Sequence, residues 1–129
     1  MKIAVIYDSD LHFEHKQWQN ELEFWEDELK SFNNRLEDLV TFHDDKDVLE
    51  KLEHYQNEFI LHQNVIEELK ETIEEHETNI AGHSQMGMVS LDVPFVKKHL
   101  EIRTSMEDER WIYTDLKKEF YQFLTKYWN

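Results

Sequence analysis

Residues 46–80 read KDVLEKLEHYQNEFILHQNVIEELKETIEEHETNI, with seam positions at Val48, Leu52, Tyr55, Phe59, His62, Ile66, Leu69, Ile73, His76 and Ile80. The steps alternate between four and three without a slip, so ten side chains line one face of an α-helix at the period of bundle and coiled-coil packing. Two of the ten are histidines, and a seam histidine has to be explained by what faces it.

The flanking segments repeat the pattern. Upstream, the seam is Leu11, His15, Trp18, Leu22, Trp25, Leu29, Phe32, Leu36, Leu39 and His43. Downstream it is Phe95, His99, Ile102, Met106, Glu109, Tyr113, Leu116, Phe120, Phe123 and Tyr127. Asp8, Ser9 and Asp10 offer N-caps for the first helix, Asp44 and Asp45 for the second, and Asp92 with Pro94 opens the third. Gly82 is the expected C-terminal stop of the second helix. The reading is an all-α, antiparallel three-helix bundle of one domain, with long coiled-coil-like helices over about residues 10–43, 46–81 and 92–127. Residues 3–7 (IAVIY) form a short extended arm, because one β-flavoured run cannot make a sheet alone.

Composition narrows the function classes. The 129 residues hold 29 acidic and 14 basic side chains, for a net charge of −15. Affinity for nucleic acid and for anionic membranes comes from Lys and Arg, so neither is an expected partner. With no cysteine, disulfides, thiolate metal sites and cysteine nucleophiles are excluded. No apolar run approaches the roughly 20 residues of a membrane span, and the opening run is too short for a signal peptide, so a cytoplasmic location is expected. No nucleophile–base pair, phosphate loop or pair of catalytic carboxylates can be located.

Antiparallel neighbours pair so that residue numbers add to a constant. A first turn that sets His43 against Val48 also sets His15 against His76, and a second turn centred near Gly87 sets His76 against His99. One histidine from each helix then falls in one layer. Imidazole suits zinc, copper, iron and nickel, and three protein nitrogens leave one coordination position free. The sequence therefore predicts a metal site of His15, His76 and His99, zinc or copper being the expected ion. Glu77 and Glu14 stand beside it as partners of the ring N–H groups or as further ligands, and His12, His83 and Met86 are candidate additional ligands. A ferritin-like di-iron site is excluded: it needs Glu-x-x-His on two helices, and here Glu directly precedes His at Glu53–His54 and Glu75–His76. The large seam residues Trp18, Trp25 and Phe32 leave no gap for haem.

The same arithmetic groups His62, Tyr113 and Glu109 as a hydrogen-bonded polar core, with an expected His62–Tyr113 bond. His54, Glu50 and Glu58 make an i, i+4 ladder that reads as a solvated face. Off the seams, Phe13, Phe24, Val40, Phe42, Leu49, Ile60, Val65, Leu100, Trp111, Ile112, Tyr121 and Trp128 exceed what three helices can bury. The competing reading is thus a non-catalytic protein-interaction module, with a homodimer or another protein as partner.

Overall fold

A computed structural model describes residues 8–85 and 93–127. Three helices make up the fold: α1 (Asp8–Phe42), α2 (Lys46–Gln85) and α3 (Val93–Tyr127). They pack against one another, with no strand among the described residues. At 1.5 Å per residue they are rods of about 50 to 60 Å. The arm expected over residues 3–7 lies outside the described residues, as do Asp92 and Trp128.

The three seams are the core. Among the described residues every buried one is a seam position, and the remaining seam positions, His43, Tyr55, Phe95 and Tyr127, are half-buried. Rods this thin have room for one buried stripe each, and the 3.5-residue average spacing keeps that stripe facing the axis. Aromatic rings dominate the end near the first turn, where Phe32, Phe59 and Phe120 meet with ring centroids 4.9 to 5.6 Å apart. Residues 43–45 form that turn. Asp45 caps α2, its Oδ1 accepting from the Asp47 amide at 2.8 Å, and the His43 ring donates from Nε2 to the Tyr127 carbonyl at 3.0 Å.

α2 differs from the expectation at its end, running through Gly82 to Gln85. An interior glycine costs a helix only about 1 kcal/mol relative to alanine. Nothing lies within 4 Å of where a Cβ on Gly82 would sit, so this glycine marks neither a close approach nor a stop.

One registering device was not anticipated from the seams. α1 and α3 run parallel, and three ion pairs link them at heptad intervals. Arg103 donates to Glu14 at 2.7 Å, Arg110 to Glu21 at 2.6 Å, and Lys117 lies 2.6 Å from Glu28. Both arginine pairs are two-pronged, a geometry that a carboxylate and a guanidinium satisfy in one orientation. Their partial exposure keeps the stabilisation small, on the order of 0.5 kcal/mol each. Their effect is on axial position.

Candidate metal centre

Each helix delivers one histidine to the layer that the numbering predicts. His15, His76 and His99 are 1%, 3% and 0% exposed, and one ring nitrogen from each lies within 4.8 Å of the others. The rings sit with centroids 5.2 Å (His15–His76), 4.9 Å (His15–His99) and 5.9 Å (His76–His99) apart. Below them, on the core side, Trp18 stacks on His99 at 4.8 Å.

The carboxylates around the layer assign its protons. Glu77 Oε2 accepts from His15 Nδ1 at 2.5 Å, while its other oxygen pairs with Nδ1 of exposed His12. Glu14 Oε1 accepts from His99 Nε2 at 2.5 Å. An ionised carboxylate only accepts, so His15 carries its proton on Nδ1 and His99 on Nε2. A neutral imidazole then has its lone pair on the other nitrogen. Those other nitrogens, His15 Nε2 and His99 Nδ1, lie 3.1 Å apart and face each other. Nε2 of His76 is buried with no hydrogen-bond partner, the ring being tied instead to the backbone at Phe95.

Two facing lone pairs repel unless something positive is shared between them. A proton is the weaker candidate. Burial lowers the His76 pKa to about 4, helped by repulsion from His15 and His99. Burial also lowers that of His99, more than the Glu14 hydrogen bond restores it. The carboxylates are held ionised: burial alone would raise Glu14, but Arg103 and His99 outweigh it, and His15 and His12 do the same for Glu77. Neutral imidazoles backed by ionised carboxylates are the protonation states a metal requires of its ligands and their supporting shell. The 3.1 Å separation of His15 Nε2 and His99 Nδ1 is close to the roughly 3.3 Å between two nitrogens on a tetrahedral zinc with 2.0 to 2.1 Å bonds. That pair has the spacing such an ion needs, and a ring nitrogen of His76 lies within 4.8 Å of both.

The remaining expectations divide. Glu77 and Glu14 hold ring N–H groups, and His12 is tied to Glu77 at the solvent edge. His83 and Met86 lie outside the described side chains. His54 is exposed, as a solvated face requires.

The polar core midway along the bundle is real, but one bond is corrected. His62 Nδ1 pairs with Glu109, both 5% exposed. Tyr113 donates to Glu28 Oε1 at 3.1 Å and not to His62. Its ring packs on Trp25 and lies 5.8 Å from that of His62, so the rigid phenol carries its hydroxyl past the core to α1. Glu109, one turn earlier and flexible, fills the place beside the imidazole.

The sequence reading missed Arg103, which anchors Glu14. The signal was present, since Glu14, Glu21 and Glu28 and Arg103, Arg110 and Lys117 both recur at sevens. Compared with known protein families, curated proteins and solved structures, the chain has no match.

Proposed function

We propose that this protein binds one transition-metal ion, zinc or copper, through His15 Nε2, His76 Nε2 and His99 Nδ1. The observation that carries the reading is the pair of mutually facing lone pairs on His15 and His99, next to the orphaned nitrogen of His76. An uncommitted buried imidazole nitrogen costs about 1 to 3 kcal/mol, and a shared cation turns that cost into coordination. Glu77 and Glu14 orient the rings and His12 steadies Glu77. Three protein nitrogens leave a place for water or a small ligand, and a bound ion would supply Lewis acidity there. The sequence points to no substrate pocket, and metal binding is ranked above catalysis. Acid weakens binding as protons compete for the imidazoles, and burial moves that competition at His76 down toward pH 4.

The test is calorimetric titration of chelator-stripped, tag-free protein with zinc and with copper, repeated for His15→Ala, His76→Ala and His99→Ala. One ion per chain, with each alanine variant losing at least tenfold in affinity, is expected. Binding weaker than about 10 µM in the wild type, or unchanged in the variants, reduces the layer to a polar core.

A second reading, an interaction module, is favoured by one observation. Trp111 is 72% exposed on the outer face of α3, and free tryptophans of that kind mark association surfaces. Self-association through this face is compatible with metal binding in the buried histidine layer.

A further inference from the structure

The face of the bundle opposite α3 carries a groove of about 670 Å³ between α1 and α2, near the first turn. Its floor is the buried pair Leu36 and Leu52, and Val40, Leu49 and Ile60 rise beside it with 54%, 36% and 47% of their surface exposed. The exposed acids Glu37 and Glu53 flank it. From Leu49 to Ile60 the groove runs eleven residues along α2, about 16 Å or three helical turns.

Charge on the three helices is unevenly divided. α1 and α2 each carry ten acidic and three basic residues, whereas α3 carries six acidic and seven basic. Three of the α3 cations are spent on the ladder to Glu14, Glu21 and Glu28. The groove therefore has an apolar floor and acidic walls, on the two helices that carry the acidic excess.

We propose that this groove docks a basic amphipathic helix of a partner protein: about three turns, apolar at i, i+3 or i+4, and i+7, with Lys or Arg on both flanks. A second copy seated in the groove by its Trp111 face would set Glu107, Asp108 and Asp115, which bracket Trp111 at one-turn spacing, against Glu37 and Glu53. A cationic helix meets both the floor and the rim, and charge complementarity would speed its capture and fix its register.

The test uses the full chain and a synthetic 18-residue peptide with leucines at helical spacing and lysines on both flanks, together with a glutamate-for-lysine version. Binding is read by fluorescence anisotropy at two salt concentrations. The basic peptide should bind at least tenfold more tightly than the acidic one, more weakly in high salt. The double variant Val40→Asp/Ile60→Asp should lose at least tenfold. The control Phe24→Asp/Trp111→Asp changes net charge equally, off the groove, and should bind as wild type. The exposed pair Glu37→Lys/Glu53→Lys, which leaves the apolar floor intact, provides an independent arm with the same expected loss. Equal weakening by groove and control variants reveals unspecific attraction to an acidic protein and overturns the proposal. So does a mass measurement showing that the groove is occupied by a second copy, lost in Val40→Asp/Ile60→Asp. Neither result bears on the histidine layer.

Discussion

Replacing His76 with leucine should stabilise the metal-free protein. Nε2 of His76 is buried and unpaired, and relieving such a group is worth about 1 to 3 kcal/mol. Leucine fills a similar space with apolar surface. Against this stands the lost bond to the Phe95 backbone, about 0.5 to 1.5 kcal/mol, softened because Phe95 is half-buried and water can reach its peptide. The net expectation is a gain of about 1 to 2 kcal/mol. For a chain of this length that raises the melting temperature by about 4 to 7 °C, taking an unfolding entropy of about 2.1 cal/mol/K per residue. The assay is urea and thermal unfolding by circular dichroism at pH 7.5, once in chelator and once in zinc at 100 times Kd. In zinc the wild type gains about 2.7 kcal/mol by mass action, and a variant that binds at least tenfold more weakly gains no more than about 1.4 kcal/mol. The variant's advantage in chelator therefore shrinks or reverses in zinc. A variant less stable than wild type in chelator, or equal stabilisation of both by zinc, refutes the reasoning.

Three further outcomes are expected. Metal-free protein should lose stability on acidification: the folded His76 pKa of about 4 lies below its ordinary value of 6.5, so the unfolded chain takes the proton first. That contribution is whole above pH 6.5 and falls by about 3 kcal/mol on the way to pH 4, readable as a falling urea midpoint, and a flat midpoint across the window would contradict it. His62→Leu should leave zinc stoichiometry and affinity unchanged while destabilising the fold by about 3 kcal/mol, because Glu109 is left buried without its partner; His62→Leu/Glu109→Leu should restore most of the loss. Trp111→Ala should abolish any dimer seen by light scattering at micromolar concentration, and a one-chain mass throughout that range would remove the self-association reading.

What was legible in the sequence was whatever depends on periodicity. The seams named all the buried positions because burial in three thin rods is decided by spacing alone, and residue-number sums found the His15, His76 and His99 layer because short turns fix the registry of antiparallel helices. What was not legible depends on side-chain reach. Tyr113 and Glu109 occupy successive seam positions, and only their rotamers decide which of them meets His62. Gly82 read as a stop because propensity is local, whereas the helix continues past it. The tautomers of His15 and His99 needed the positions of Glu77 and Glu14, which a helical wheel places only to within one turn.

The heptad ladder between α1 and α3 has an ambiguity built into it. A vernier with identical marks can be read one division off: slid by seven residues, about 10.5 Å, Arg103 would face Glu21 and Arg110 would face Glu28. The buried polar groups break the repetition, because the same slide sets His99 against Leu22, strands a buried imidazole on hydrocarbon, and draws Glu109 away from His62. They are the graduations that tell the bundle where zero lies. A chain with His15, His76, His99, His62 and Glu109 all changed to leucine would keep its helix content and gain competing alignments, visible as a broadened unfolding transition.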